Sequence, residues 1–572
     1  MIKRDKTQKG MWKRTLGIYR HIRIPWVLYA ANVVLGIIGT KVALLYVPYL
    51  SQLETGNVES MGVLWAYVGL MLLNVAVMTL NRIPVFYAES MVTRDMQNRL
   101  VGHALRLPMR TLERTGTRLV SWVTQDATFV HAFISVAVGF ITGMASLYMS
   151  VTSMQAIDTS MLFLVPFILA YILFSTWFEG KCLFLRQRRE RVAVSELTAY
   201  MSEHMGFFTQ IKQLHSRREE SERGRAAVRR MYDADIYAAV ITLVNNFVSG
   251  SLSQVITILV FVLGVPLVNA GAMTITGLQA FRTYVMLAYQ SLQTLPSTYT
   301  SFMYYNGQLF NVANLMAEKE EDYAQERTMD RKDEDLVFDH VSFAYGEAPV
   351  IRDASFTIPK GKVTMIAGPN GSGKTTLFKL IERFYTPGSG TIRFGQLDVR
   401  SIQLQEWRQS IAYVLQEPQL FNGTIRENIN YGMSREVAPE ETESAAKLAC
   451  ADEFIRALPG GYDFVIGENG GRLSAGQRQR IAIARAVMLD PAYLLLDEAT
   501  CNMDVYAEAE VNRALRKLMR GRTTVMISHD MKMLEEADHV VVLNSGVVEG
   551  EGPREEVVQR CGLLRRLVEA NA

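Results

Sequence analysis

The residues of this sequence that are best suited to chemistry form a glycine-rich stretch after a short apolar run. Residues 363–367 (VTMIA) have the pattern of a buried strand, and residues 368–375 (GPNGSGKT) match GxxxxGK[ST]. Glycines let backbone N–H groups converge on phosphate oxygens, the lysine supplies a cation, and the threonine hydroxyl suits Mg²⁺. A structural turn is the alternative, but a helix predicted over 377–381 would point its N-terminus at an anion. The stretch therefore predicts a phosphate site formed by Gly368, Asn370, Gly371, Ser372, Gly373, Lys374, Thr375 and Thr376.

Two carboxylates follow a second apolar strand further along the chain. Residues 493–496 (YLLL) precede Asp497 and Glu498. Asp497 is suited to hold Mg²⁺ through its water shell, and Glu498 to polarise an attacking water as a general base. A strand that ends in a solvated acid pair is the alternative. The phosphate-binding stretch favours the catalytic interpretation, which is hydrolysis of ATP.

Several other residues resemble the motifs of one family. Residues 473–480 (LSAGQRQR), just before the acid pair, resemble the LSGGQ signature of ATP-binding cassette (ABC) proteins. Four single residues resemble the family's adenine-stacking aromatic, Q-loop glutamine, D-loop aspartate and switch histidine, which here are Tyr345, Gln416, Asp504 and His529. Each of these alone could be an ordinary strand, loop or capping residue. Their order relative to the two strong motifs favours the family.

The resemblance implies how the signature residues act. In the family, two cassettes face each other head to tail, so Ser474, Gly476 and Gln477 would contact ATP that a partner chain holds. A second half-transporter is therefore the implied partner. Gln416 would bind Mg²⁺ and sense the membrane domain, and His529 would stabilise the γ-phosphate.

The sequence departs from the family pattern at three places. Ala475 replaces a glycine of the signature, residues 501–504 read CNMD instead of the usual SALD, and residues 467–470 read GENG where exporters more often show GERG. We expect Ala475 to leave ATP binding intact and to slow turnover. In heterodimers of the family, one of the two ATP sites is degenerate, and the chain that keeps its glutamate often carries the altered signature. The combination of Glu498 with Ala475 weakly fits that arrangement, so homodimer and heterodimer both stay open.

The first 320 residues differ in composition from the part that carries these motifs. The whole chain has 572 residues, of which 49% are hydrophobic and 20% charged, and its formal net charge is +3. The apolar content excludes a long disordered chain, four cysteines exclude a disulfide scaffold, and nothing in the charge indicates nucleic acid as a partner. Six apolar stretches, each about the length of a membrane span, lie near 26–50, 61–88, 128–152, 158–178, 238–268 and 275–300.

Lysine and arginine are distributed unevenly around these stretches. Segments 51–60, 153–159 and 266–276 contain neither residue, whereas 1–24, 89–127 and 181–237 each contain several lysines or arginines. The positive-inside rule places the N-terminus, both long loops and the second half in the cytoplasm. The first apolar run is too long for a signal peptide, and a soluble all-helical domain is the alternative that the charge pattern disfavours.

The elements together predict the fold and the domains. We expect an all-α six-helix transmembrane domain (1–317), a solvated charged linker (318–335) and an α/β P-loop ATP-binding cassette domain (336–572). With its six spans the chain is similar to an exporter-fold (type IV) ABC half-transporter over nearly its whole length. Residues 107–116 and 204–213 resemble the family's coupling helices, although each could pack within its own domain.

The predicted function is ATP-driven export of small amphiphiles such as drugs, lipids or peptides from a bacterial cell. The alternatives are import on the same fold, as for siderophores, and an ATP-gated regulator that does not pump. Lys41, Arg82 and Arg282 lie in the first, second and sixth predicted spans, and these three spans hold no acidic residue. The cations suggest a cavity for anionic substrates. The alternative is that Arg82 snorkels to the interface and that the other two bind helix carbonyls.

Overall fold

The computed structural model divides the chain into two compact units. One comprises Met1–Leu105 and Thr115–Glu318, and the other comprises Arg106–Arg114 and Lys319–Ala572. The structure describes residues 14–571 except 57–59, 117, 160, 162–165, 167–169, 171–173, 175–177, 179–188, 191, 202–203, 205–206, 324, 326, 330–333, 499–504 and 529–530.

The first half of the described chain is helical. Its helices are α1 (Trp26–Glu54), α2 (Met61–Leu80), α3 (Arg82–Ala104), α4 (Met109–Thr115), α5 (Arg118–Thr124), α6 (Phe129–Gln155), α7 (Phe208–Gln213), α8 (Arg217–Asn269) and α9 (Ile275–Ala317). Only α4 falls almost wholly in the second unit.

Four helical stretches among the described residues are long and apolar enough to cross a membrane. They are Trp26–Glu54, Met61–Ala104, Arg118–Gln155 and Arg217–Asn269. These contain the first, second, third and fifth predicted spans. Most of the fourth, 158–178, lies outside the described residues, and the sixth, 275–300, is the first part of α9. Six spans therefore stay a prediction.

Apolar side chains from several helices form the core of the first unit. Leu44 and Val47 of α1 pack in one buried cluster with Met154 of α6, Val260 of α8 and Phe281 of α9. One pair of side-chain amides also links α1 to the residue between α2 and α3, and such pairing lowers the cost of an amide in an apolar environment. Thus the Nδ2 of Asn32 donates to the Oδ1 of Asn81 over 3.0 Å.

The second unit is an α/β domain with two sheets. The antiparallel sheet contains β1 (Leu336–Ala344), β2 (Pro349–Ile358), β4 (Ser389–Phe394) and β5 (Leu397–Asp398), and the larger sheet contains β3 (Val363–Ala367), β6 (Ile411–Val414), β7 (Tyr493–Asp497), β8 (Thr523–Ile527), β9 (His539–Asn544) and β10 (Val547–Pro553). Its helices are α10 (Lys374–Ile381), α11 (Leu404–Gln409), α12 (Ile425–Ile429), α13 (Pro439–Leu448), α14 (Asp452–Ala457), α15 (Ala475–Leu489), α16 (Val505–Met519), α17 (Arg554–Arg560) and α18 (Gly562–Asn571).

The order of the larger sheet brings the distant motifs together. Its strands run β10-β9-β3-β8-β7-β6, and all pairs except β10 with β9 are parallel. The carboxyl ends of parallel strands meet at one edge of a sheet, where ligands bind in open α/β folds. The segments after β3, β6 and β7, which carry the glycine-rich loop, Gln416 and Glu498, therefore leave the sheet at the same edge.

Part of the charged segment 318–335, the predicted solvated linker, contacts the second unit. The Glu321 side chain is only 11% exposed and forms two hydrogen bonds with the Arg408 guanidinium, at 2.7 and 2.8 Å. The Glu321 N–H donates to the carbonyl of Arg106, and the Gln403 N–H to that of Arg327. An ion pair at Glu321 and a backbone hydrogen bond at Arg327 thus attach these two positions of the segment to other residues of the second unit.

Candidate active site

The glycine-rich loop connects β3 to α10, as the sequence predicts. Gly368 has φ +155°, and a Cβ atom at this position would lie 2.1 Å from the carbonyl oxygen of Leu543. Only glycine therefore fits where the loop passes β9. Asn370 and Thr375 are exposed, while Ser372 is buried, and its Oγ has no hydrogen-bond partner among the described residues. A buried hydroxyl without a partner suits a phosphate oxygen as its acceptor.

Lys374 is held against the loop. Its Nζ donates to the carbonyl oxygens of Gly368 (2.9 Å) and Pro369 (3.0 Å), and the residue is 7% exposed. Burial lowers the pKa of Lys374, and the negative charges of Glu498 and Asp497 oppose that shift. The lysine and both carboxylates thus share one electrostatic environment. Phosphate oxygens could take the place of the two carbonyl acceptors.

The two acids occupy the end of β7. The Oδ2 of Asp497 accepts a hydrogen bond from the Tyr413 hydroxyl over 2.8 Å. Glu498 has φ +47°, an uncommon backbone conformation for a residue other than glycine, and its N–H donates to the carbonyl of Ile527. Backbone strain of this kind occurs at functional sites, where the surrounding structure maintains it.

Tyr345 lies beside the helix that follows the loop. Its ring packs edge to face on those of Phe343 and Tyr385, each with 5.0 Å between ring centroids, and its hydroxyl lies 3.3 Å from the Oγ1 of Thr376. The residue is 41% exposed, so part of its surface is accessible to a stacking partner. This placement fits the predicted contact with adenine.

The signature residues form the start of α15. Ser474 caps the helix, since its Oγ accepts from the Gln477 N–H (3.3 Å) and the Gln477 Oε1 accepts from the Ser474 N–H (2.9 Å). The Gln477 side chain is thus engaged within its own helix, whereas the Ser474 hydroxyl still has a proton to donate. Gly476 is buried and Ala475 is exposed. The first N–H groups of α15, together with Ser474, make an end that suits an anion.

Gln416 and the signature border one cavity in the same chain. This cavity, of about 430 Å³, is lined by Gln416, Ala475, Arg478 and Gln479, and by residues of the GENG segment. The Ala475 methyl group therefore faces the space that also borders the Q-loop glutamine. Asp504 and His529 lie outside the described residues.

Residues 106–114, which lie between α3 and α5 in the chain, belong to the unit that carries this site. Glu113 of α4 accepts a hydrogen bond from the Nζ of Lys379 over 3.1 Å and another from the Tyr385 hydroxyl. The bond from Tyr385 holds the pKa of the Glu113 carboxyl below its usual value. Lys379 Nζ also lies 5.6 Å from the centroid of the Tyr345 ring. The resemblance of residues 107–116 to a coupling helix had marked this segment, but nothing local identified Glu113 as the partner of Lys379 and Tyr385.

The three cations of the predicted spans have different surroundings. Lys41 and Arg82 are exposed on the first unit. Arg282 forms an ion pair with Glu54, with 3.1 Å between NH2 and Oε2. The expectation of a cation without an acidic partner was therefore wrong for Arg282, because α1 continues to Glu54, beyond the predicted end of the span at residue 50.

Comparisons with known proteins identify the family. Residues 28–292 match the family model "ABC transporter transmembrane region", and residues 351–501 match "ABC transporter". The chain is 30% identical over 476 residues to the "Uncharacterized ABC transporter ATP-binding protein YfiC" of Bacillus subtilis (strain 168), covering 82% of this chain and 78% of that one.

Two further relatives have names that state a substrate. The "Multidrug resistance ABC transporter ATP-binding and permease protein" of Lactococcus lactis subsp. cremoris (strain MG1363) is 27% identical over 580 residues, covering 99% of this chain and 97% of that one. The "Fatty acid ABC transporter ATP-binding/permease protein" of Mycobacterium tuberculosis (strain CDC 1551 / Oshkosh) is 33% identical over 379 residues, covering 66% and 60%.

A solved structure titled "Structure of a bacterial Atm1-family ABC exporter with ATP bound" superposes with a TM-score of 0.81 at 22% identity, covering 96% of this chain and 98% of that one. The chain belongs to the ABC transporter family, as a half-transporter with the exporter fold. The predicted fold class, a helical membrane region followed by an α/β cassette, is confirmed, as is the prediction of an ABC-type ATPase. The protein is thus a membrane protein that binds nucleotide and pairs with another half-transporter.

Proposed function

We propose that this half-transporter exports small amphiphilic compounds and that it is driven by hydrolysis of ATP at sites completed by a second half-transporter. The observation that carries the proposal is the convergence of Lys374, Asp497 and Glu498 at one edge of the sheet, where the lysine is buried and lies in the field of both acids. A buried cation between a phosphate loop and two carboxylates suits transfer of a phosphoryl group to water.

Each residue then has a role in the reaction. Glu498 accepts a proton from water, the water oxygen bonds to the γ-phosphorus, and the bond from that phosphorus to the bridging oxygen of ADP breaks. Lys374 and the loop N–H groups stabilise the charge on the phosphate oxygens. Thr375, Gln416 and Asp497 would hold Mg²⁺, which supplies further positive charge to the β- and γ-phosphates. Tyr345 stacks on the adenine.

The second cassette supplies the remaining contacts. The capped N-terminus of α15 offers Ser474 and the buried Gly476 to the γ-phosphate of ATP bound by the other chain. This chain has both the hydrolytic and the signature residues, so two copies could build two equivalent sites. The family resemblance implies that Asp504 and His529 also contribute to these sites. The distribution of lysine and arginine supports a cytoplasmic cassette, and the bacterial relatives support a bacterial cell membrane.

The substrate class rests on the first unit and on the relatives. Two relatives are named for multidrug and fatty acid transport. Lys41 lies near the middle of the 29-residue helix α1, and an ionisable residue at that depth usually faces protein or water. The ion pair with Glu54 neutralises the charge of Arg282. The preference for anionic amphiphiles is therefore assigned to the charges of Lys41 and Arg82.

Vesicle transport tests the direction and the substrate class. In inside-out vesicles, we expect ATP to drive accumulation of a fluorescent fatty acid faster than that of its neutral methyl ester. Lys41→Ala should narrow this difference, and Glu498→Gln should stop accumulation of both. Accumulation confined to right-side-out vesicles would instead establish import. Binding of ATP without any movement of substrate would establish a regulator.

The contact of Glu113 with the cassette predicts that its loss lowers transport while ATP hydrolysis continues. Residues 106–114 follow α3 and precede α5 in the chain, so displacement of Glu113 is passed along the backbone to both helices. In Glu113→Ala, we expect ATP-driven transport to fall about tenfold while basal ATPase stays within about twofold, because the bonds from Lys379 and Tyr385 are lost outside the reacting groups.

Two variants make this test specific. Exchange of the pair, Glu113→Lys with Lys379→Glu, should recover part of the transport. Glu441→Ala removes another ion pair of the cassette, that with Arg435, and should change neither quantity. A proportional fall of transport and ATPase in Glu113→Ala would disprove the role in coupling.

A further inference from the structure

We infer that Tyr413 is a positioning residue for the Mg²⁺-binding carboxylate of the nucleotide site, and that it acts through its hydrogen bond to Asp497. This inference rests on the proposed function of Asp497. Neither the family motifs nor the sequence analysis assigns a role to Tyr413. In the sequence, the feature that could have indicated this role is a phenol in the otherwise apolar run IAYV, three residues before Gln416.

The register of the sheet brings the two side chains together. Strands β6 and β7 are parallel neighbours in which Tyr413 pairs with Leu495. Asp497 lies two residues beyond Leu495 and so on the same face of the sheet. A long side chain at position 413 can therefore reach forward to the end of β7, where the Tyr413 hydroxyl donates to the Asp497 Oδ2 over 2.8 Å.

Packing holds the phenol in place. The Tyr413 ring lies edge to face on Phe378 with 5.6 Å between ring centroids, and Phe378 is fully buried. Phe378 belongs to α10, the helix that begins with Lys374. The hydroxyl is thus fixed relative to the phosphate loop as well as to β7. As a result, rotation of the Asp497 carboxylate about the Cβ–Cγ bond is restricted.

The chemistry of the two groups gives this hydrogen bond one direction. The Tyr413 hydroxyl donates its proton, and the Asp497 carboxylate oxygen accepts it. Tyr413 also precedes Gln416 by three residues, so the strand that carries Tyr413 leads into the segment of a second residue proposed to hold Mg²⁺.

Nucleotide binding with and without the metal tests the inference. For Tyr413→Phe, we expect the Kd of a fluorescent ATP analogue to rise about tenfold in Mg²⁺ and to stay within about twofold in EDTA, since a hydrogen bond to a charged group is lost. The Mg²⁺ concentration that gives half-maximal ATPase activity should rise as well. Both measurements use the full chain in lipid nanodiscs.

A second phenol supplies the matched control. The Tyr462 hydroxyl donates to the Oδ1 of Asp452 over 2.6 Å, so Tyr462→Phe removes the same kind of bond from the segment that precedes α15. It should lower thermal stability and leave both Kd values unchanged.

The outcomes separate this inference from the proposed function. If Tyr413→Phe binds like the wild type in Mg²⁺, or binds more weakly by the same factor in Mg²⁺ and EDTA, the positioning role is overturned. If the wild type itself binds the analogue equally well with and without Mg²⁺, the proposed metal site fails as well.

Discussion

Replacement of Glu498 by glutamine is expected to lower kcat for ATP hydrolysis by at least about 100-fold, the lower end of what a general base contributes. Glutamine has nearly the same size and can adopt the same φ of +47°, but it cannot accept a proton from water. Lys374 and the phosphate loop are unchanged, so ATP should still bind. Closure of the two cassettes on unhydrolysed ATP should then persist.

Two measurements check this expectation. Release of inorganic phosphate from the purified protein in lipid gives kcat, and retention of radiolabelled ATP after gel filtration shows the closed state. Glu417→Gln, a change of an exposed acid next to Gln416, is the control and should keep kcat within about threefold. Turnover at the wild-type rate in Glu498→Gln would remove the basis for its role as general base.

The second large effect is expected from a single methyl group in the phosphate loop. Gly368→Ala would place a Cβ atom 2.1 Å from the carbonyl oxygen of Leu543, at φ +155°. That oxygen belongs to the backbone of β9, which pairs with β3, so rotation of a side chain cannot relieve the clash. The loop must move, and we expect the affinity for ATP to fall by at least about 100-fold, equivalent to about 3 kcal/mol of strain and lost contacts.

Gly371→Ala is the matched control in the same loop. Gly371 also has a positive φ, of +77°, but a Cβ atom there would meet no other atom within 4 Å. It should therefore weaken ATP binding less, by the backbone strain alone, which is about 1–2 kcal/mol or roughly tenfold. Affinity is measured with a fluorescent ATP analogue, and thermal unfolding checks that both variants fold. Equal losses in the two variants would contradict the steric argument.

The parts of the protein that were predictable from sequence are those whose geometry is local. The residues from Gly368 to Thr376 define a loop between a strand and a helix, and the structure has that loop between β3 and α10. Apolar length likewise predicted the four described membrane-length helices. Such features depend on neighbours along the chain, so pattern and spacing are sufficient.

Other parts depended on contacts between distant residues. Asp497 and Tyr413 are separated by 84 positions, Arg282 and Glu54 by 228, and Lys379 and Glu113 by 266. Each contact is set by strand register, by the packing of helices or by docking of a loop, none of which is encoded in a short pattern.

The sequence by itself therefore determined the family and its ATPase class, and it indicated the residues proposed to perform the chemistry, because these reside in short motifs. Only the tertiary structure decided which neighbours orient those residues and which charges are neutralised. Hydrogen bonds and ion pairs form between side chains that folding brings within about 3 Å, however far apart they lie in the chain.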